Sequence, residues 1–203
     1  TGIAVGDSTV YRRMSERRDV SAAAAFVLDH SASMHEVDPG ASTNRMQRLA
    51  QATAAIASAI ANERHVATAL MTYTNLNDLI RLRWLKDFGQ PGSRLKGAVG
   101  AMTHGQYSGT PTTQALLEAY NVIRKRHEPR KVIFLITDGE ANDRPSACQA
   151  AAAIAALGAI LIGIGIGANA PAMPIPGWLS INNVSELPDR LPEIVRNVLA
   201  RPA

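Results

Sequence analysis

Short, continuous apolar runs alternate along the chain with longer stretches whose apolar residues recur every three or four positions. That rhythm predicts buried strands alternating with amphipathic helices. Ala22 to Leu28 is the first continuous run and stops at Asp29, the pattern of a strand buried on both faces. Asn44 is placed to cap the next helix, in which Met46, Leu49, Ile56 and Ile60 form one stripe. Val66 to Tyr73 predicts a second strand. In the third, Ile80, Leu82 and Trp84 alternate with Arg81 and Arg83, which predicts a half-buried strand at a sheet edge. Only Thr74 to Asp78 separate these two strands. A parallel crossover needs about a dozen residues, so the pair is expected to form an antiparallel hairpin.

The second half keeps the same rhythm. Leu116, Ala119, Tyr120 and Ile123 make a helical stripe, and Lys131 to Thr137 is a buried strand that ends at Asp138. Pro145 can open a helix running to about Leu157, with Gly158 to close it. Ile160 to Ile166 predicts another strand and Leu179 to Val184 a weaker one; Leu191, Ile194, Val195 and Val198 mark a C-terminal helix. The expected fold is α/β: a doubly wound, mostly parallel six-stranded sheet with one antiparallel edge strand and helices on both faces. Residues 1–20 are polar and arginine-rich without an apolar period, and read as a basic arm leading into a domain over residues 21–203. From Pro145 to Ser185 there is no charged residue. The glycines at 158, 163, 165 and 167 and the prolines at 171, 174 and 176 divide that stretch into helix, strand and loop, so no membrane span is expected.

Composition changes the picture in three ways. A chain of 203 residues that is 46% hydrophobic but only 4% aromatic builds its core from alanine and aliphatic side chains. Its one cysteine, Cys148, cannot form an internal disulfide, is expected to be a small buried core residue, and fits a reducing, cytoplasmic compartment. The start at Thr1 suggests a piece of a longer protein. The net charge of +4 gathers at Arg12, Arg13, Arg17 and Arg18, and at Arg124, Lys125, Arg126, Arg130 and Lys131. No aromatic residues interleave with either group, so a solvated face is expected and not a nucleic-acid partner.

Three motifs carry the candidate chemistry. Asp29-His30-Ser31-Ala32-Ser33 follows a buried strand, at the end where open α/β sheets place their ligands. A tight loop there can aim one carboxylate and two hydroxyls at a common point, and such hard oxygen donors suit Mg²⁺ or Mn²⁺. Gly109-Thr110-Pro111-Thr112 precedes a helix; taken alone, either threonine reads as a helix cap. Thr137-Asp138-Gly139-Glu140 ends a buried strand, and Asp138 taken alone reads as an Asp-Gly turn.

In this order and on these elements, the three motifs resemble the metal-ion-dependent adhesion site (MIDAS) of von Willebrand factor A domains, over roughly Ser21 to Leu199. The resemblance implies that Ser31, Ser33 and Thr110 offer hydroxyls to the metal, with Asp29 and Asp138 as carboxylate ligands. It also implies Mg²⁺ as the cofactor, with Mn²⁺ or Ca²⁺ as alternatives, and a protein partner whose Asp or Glu carboxylate completes the coordination. Within the superfamily, Tyr11-Arg12-Arg13, Leu28-Asp29-His30-Ser31-Ala32-Ser33-Met34 and Pro129-Arg130-Lys131-Val132 before Thr137-Asp138-Gly139-Glu140 are similar to the bacterial cobaltochelatase CobT and NorD group. That likeness implies a binding domain that is not itself an enzyme and works with a MoxR-type AAA+ ATPase in a chelatase or activation complex. The alternative functions are an extracellular adhesion domain and, behind it, a metal-dependent hydrolase.

Other chemistries are not expected. His30 and His35 flank the first motif but stand at no zinc-ligand spacing. Asp29, His30 and Ser31 are adjacent, whereas hydrolase triads converge from separate loops, and G-x-S-x-G is absent. Gly163-Ile164-Gly165-Ile166-Gly167 is not followed by a helix that could hold a pyrophosphate, and is expected to allow close strand–helix packing.

Overall fold

The computed structural model describes residues 21–60, 65–77, 79–91, 93–102, 108–139, 141–167, 172–175 and 177–200. The expected basic arm at residues 1–20 lies outside them, as does Glu140 of the third motif. In chain order the elements are β1 (Ala22–Asp29), α1 (Arg45–Ile60), β2 (Val66–Leu76), β3 (Leu79–Lys86), α2 (Arg94–Val99), α3 (Thr112–Ile123), β4 (Arg130–Thr137), α4 (Arg144–Ala156), β5 (Ile160–Ile166), β6 (Leu179–Ile181) and α5 (Leu187–Ala200).

The six strands form one sheet in the order β3-β2-β1-β4-β5-β6. All neighbours are parallel except β2 and β3, which make the expected antiparallel hairpin. The order reverses between β1 and β4, so their carboxyl ends open a crevice outside the sheet. Every residue of β1 is buried, with alternate residues serving two cores. Ala22, Ala24, Phe26 and Leu28 face the layer of α1 and α5, while Ala23, Ala25 and Val27 face α3 and α4. Phe26 pairs in register with Phe134, and their rings stack 5.1 Å apart.

Most of the helix boundaries follow the sequence. Asn44 Oδ1 accepts the Gln47 N–H at 2.8 Å, capping α1 as expected. Asp143 caps α4 ahead of Pro145, and Gly158 beyond its end takes φ +87°. The differences have local causes. The first hairpin strand runs further than expected, to Leu76, because Asn77 turns the chain at φ +49° and no longer loop is needed before β3 starts at Leu79. Ile80 is exposed, not half-buried: Leu82 and Trp84 pack against the α3–α4 core, and Ile80 does not join them. Strand β6 stops at Ile181, short of Val184, where a 3₁₀ turn leads into α5. Cys148 is half-buried, at the margin of the α3–α4 core.

The second basic group is only partly a solvated face. Arg130 is buried and donates to the carbonyls of Val198 (2.5 Å) and Leu199 (3.5 Å), near the end of α5. There the helix dipole favours a cation. Arg126 pairs with Glu128 at 2.6 Å. Among the described residues, no helix is long and apolar enough to cross a membrane.

The glycine-rich strand β5 packs closely, but against a loop and not a helix. A Cβ on Gly163 would lie 2.3 Å from Trp178 Cε3 and 3.1 Å from Ile175 Cδ1. Gly163→Ala is therefore expected to destabilise the protein by about 1–3 kcal/mol through overpacking. Urea unfolding checks this; wild-type stability in the variant would mean that Trp178 can swing aside freely.

Candidate metal centre

The three motifs meet at the crevice between β1 and β4. Asp29 closes β1 and is fully buried. Its Oδ1 accepts the Ser31 N–H at 2.8 Å, and its Oδ2 accepts the Thr137 hydroxyl at 2.5 Å, so β1 and β4 jointly fix the carboxylate. The chain then makes a 3₁₀ turn over Ala32–His35, which brings Ser33 back beside Ser31 with their hydroxyls 3.1 Å apart. Ser33 Oγ donates to Asp138 Oδ1 at 2.8 Å, and the Asp138 side chain is fully buried. The Asp-Gly pair after β4 thus holds a directed carboxylate and not simply a turn.

Thr110 arrives from a third loop. Asn75 N–H donates to the Gly109 carbonyl (3.0 Å), and Ser108 N–H to the Asn75 carbonyl (3.0 Å), which pins this loop to the end of β2. Its other anchor is Asn142, whose Oδ1 accepts the Thr110 N–H at 2.7 Å and whose N–H donates back to the Thr110 carbonyl at 3.0 Å. The capping role that either threonine could have taken is not realised, because Pro111 occupies the cap position without a side-chain bond. A methyl group placed on Gly139 would lie 3.7 Å from Ser33 Oγ and 3.9 Å from Thr110 Oγ1, so both hydroxyls approach one point beside the β4 loop. All five residues, Asp29, Ser31, Ser33, Thr110 and Asp138, are therefore brought together.

Gly109 has a definite steric reason. A Cβ there would sit 2.8 Å from Asn142 Oδ1 and 2.9 Å from its Nδ2. Gly109→Ala is expected to push Asn142 off Thr110 and weaken cation binding at least about tenfold, on the order of 1.4 kcal/mol, with the core intact. Calorimetric Mn²⁺ titration checks this; an unchanged affinity would show that Thr110 does not depend on Asn142.

Two residues that sequence reasoning missed complete the arrangement. One is Asn142; the other is Arg45, at the first position of α1. Arg45 Nη1 donates to Asp138 Oδ2 at 2.8 Å, while Nη2 and Nε reach Asp38 Oδ1 at 2.6 and 3.0 Å. The guanidinium thus ties the loop after the first motif to the second carboxylate. Arg45 in turn holds its proton more tightly than an ordinary arginine, chiefly through the bond to Asp38.

Asp29 has no such partner among the described residues. Burial pushes its carboxyl up from 3.8 to about 6, the Asp138 charge adds to the rise, and the bonds from Thr137 and Ser31 oppose it. His30 stacks on His35 with ring centroids 5.6 Å apart, and burial, followed by the neighbouring His35, pushes it down to about 4. Both rings are therefore neutral at physiological pH. Among the described residues no group of three or more His, Cys, Asp or Glu is placed to hold a metal. What the crevice offers instead is two carboxylates and three hydroxyls, a purely oxygen donor set suited to a hard divalent cation. One of those carboxylates is buried without a counter-charge, an arrangement that a cation would relieve.

The chain is thus an open, doubly wound α/β domain with a hydroxyl–carboxylate cluster at its topological switch point. The family model for the von Willebrand factor type A domain matches residues 25–176, and the chain belongs to that family. Among solved structures it is similar to the pilus adhesin SpaC from Lactobacillus rhamnosus GG, with 14% identity, a TM-score of 0.72, and coverage of 90% of this chain and 31% of that one. Proximal thread matrix protein 1 from the mussel byssus, with a zinc-occupied MIDAS motif, is similar at 20% identity and TM-score 0.66, over 88% of this chain and 46% of that one. The manganese-loaded TRAP protein of Plasmodium vivax is similar at 16% identity and TM-score 0.63, over 85% and 74% respectively. These are likenesses of fold, and the chain spans less than half the length of the first two proteins. A search of curated proteins finds no match to this sequence.

Proposed function

We propose that this domain binds one divalent cation, Mg²⁺ foremost, through Asp29, Ser31, Ser33, Thr110 and Asp138, and uses it to hold a carboxylate of a protein partner. The observation that carries this reading is the fully buried Asp29 carboxylate facing Asp138 across a ring of hydroxyls, with no cation of its own among the described residues. The metal would supply an electrophilic centre with exchangeable water, to which an incoming carboxylate adds a charge-assisted bond. The chain's own part is positional: Thr137 and the Ser31 amide aim Asp29, Asn142 holds Thr110, and Arg45 holds Asp138.

The zinc-occupied and manganese-loaded states of two similar folds support the choice of a divalent cation. The domain is read as a binding module and not an enzyme, since the Ser31 hydroxyl meets the Ser33 hydroxyl and, among the described residues, no base is placed to activate it. On the likeness of its first and third motifs to the CobT and NorD group, it works in the cytoplasm beside a MoxR-type AAA+ ATPase. Calorimetric titration with Mg²⁺ and Mn²⁺ tests the site. Ser31→Ala and Thr110→Ala should each weaken binding with one-to-one stoichiometry kept in the wild type; titrations that both variants leave unchanged would sink the assignment. Chelator-sensitive capture of an AAA+ ATPase would support the partner, and capture of surface proteins alone would favour the adhesion alternative.

A further inference from the structure

A cavity of about 680 Å³ opens directly beside the cluster, sharing Asp138 as part of its lining. Its walls are the loop carrying Asp38 and Thr43, the first turn of α1 with Arg45 and Arg48, the end of β5 and the turn around Asn183. Two side chains in those walls, Arg48 and Asn183, keep hydrogen-bond donors with no carboxylate partner among the described residues. Asp38 is taken by Arg45, and Asn183 Oδ1 accepts both the N–H and the hydroxyl of Ser185, at 3.1 and 2.6 Å. No bond from the Asn183 side-chain amide to a described residue is present, which leaves its hydrogens to donate. Arg48 meets only the neutral Gln51, at 3.3 Å, and no carboxylate among the described residues. Arg48 also stands in the first turn of a helix, which contains no acidic residue and where the dipole disfavours a cation. The Thr43 hydroxyl, in the loop wall, has no hydrogen-bond partner among the described residues.

We propose that this cavity is a second acid-binding subsite: Arg48, with the Asn183 amide lining the same cavity, takes a second carboxylate from the same partner segment whose first carboxylate meets the metal. The inference rests on the metal-binding reading above and specifies its partner, a segment with two closely spaced acidic residues. A cationic guanidinium in a walled cavity binds a carboxylate more strongly than an exposed pair would, because water is partly excluded. The two contacts belong to one ligand, so the second is made at high effective concentration.

The test uses the full chain with saturating Mg²⁺ and capped glycine-based peptides carrying one aspartate, or two aspartates separated by zero, one or two glycines. Binding is followed by isothermal titration, with and without chelator, for the wild type and for Arg48→Gln. In the wild type at least one two-acid peptide should bind about tenfold tighter than the one-acid peptide. In Arg48→Gln that preference should fall to within about twofold, while the affinity for Mg²⁺ and for the one-acid peptide is unchanged. A preference that survives the substitution, or no preference in the wild type while the one-acid peptide still binds with Mg²⁺, would overturn the second subsite and leave the metal reading standing. If no peptide shows Mg²⁺-dependent binding to the wild type, the metal reading falls and the subsite with it.

Discussion

Asp29→Asn is expected to make the metal-free protein more stable above pH 6 while abolishing its response to Mg²⁺. Burial raises the Asp29 carboxyl from 3.8 to about 6, so between those values the folded state binds a proton that the unfolded state releases. The metal-free wild type therefore loses stability as pH rises through that window and stays at the lower level above it. At about 1.4 kcal/mol per pKa unit, the ionised group costs roughly 3 kcal/mol at pH 8 and about 0.5 kcal/mol at pH 4. Asparagine fits the same place without the charge. Its Oδ1 can keep the Ser31 N–H, and its Nδ2 can donate to Thr137 Oγ1, whose hydrogen then turns to the Gly139 carbonyl at 3.2 Å. Urea unfolding in chelator at pH 4 and pH 8 checks the difference; a variant less stable than wild type at pH 8 would refute it. Because a bound cation needs Asp29 ionised, the wild type should also bind metal more weakly below pH 6, with proton release measurable by calorimetry in two buffers.

The second large effect is at Arg45. Its guanidinium neutralises the fully buried side chain of Asp138 and is itself about one-fifth exposed. Arg45→Gln leaves that carboxylate facing Asp29 with no counter-charge, as well as freeing Asp38. Removing one partner of a buried pair costs about 3–5 kcal/mol, and the partial exposure of Arg45 brings the expectation to about 2–4 kcal/mol in chelator. Added Mg²⁺ should recover most of that loss, because the metal supplies the missing positive charge. For the same reason, the variant should bind Mg²⁺ more tightly than the wild type. Unfolding curves with Mg²⁺ and with chelator read both quantities. A variant that is destabilised and also binds metal more weakly would show that aiming Asp138 matters more than repelling the cation.

How much was legible beforehand follows from the range of the interactions involved. Strands β1, β4 and β5 are continuous apolar runs because both faces of a central parallel strand are covered, and Asp29 and Asp138 stand out as the polar residues that end two of them. The hairpin followed from spacing alone, although its tip did not, since Asn77 made a tighter turn than five intervening residues suggested. The burial of Arg130 was hidden because its acceptors on α5 lie far along the chain. Arg45 was missed for the same reason: its carboxylate partner is 93 residues away. A signal did exist, a cation at the first position of a helix, where the dipole works against it and a nearby anion is needed to hold it. Asn142 gave no comparable sign, being a polar residue in a loop, and only the 2.7 Å bond to the Thr110 amide distinguishes it.

The central claim is a divalent cation held by the β1–β4 crevice. Its most direct test is the thermal midpoint of the wild type and of Asp29→Asn, each measured in chelator and over a Mg²⁺ series. A cation that binds only the folded state adds about 2.7 kcal/mol at a hundredfold excess over Kd. For a domain of this size that is a rise of roughly 5–10 °C. The wild type should show that rise and Asp29→Asn should not. An equal rise in both proteins, or none in the wild type with either Mg²⁺ or Mn²⁺, would contradict the account.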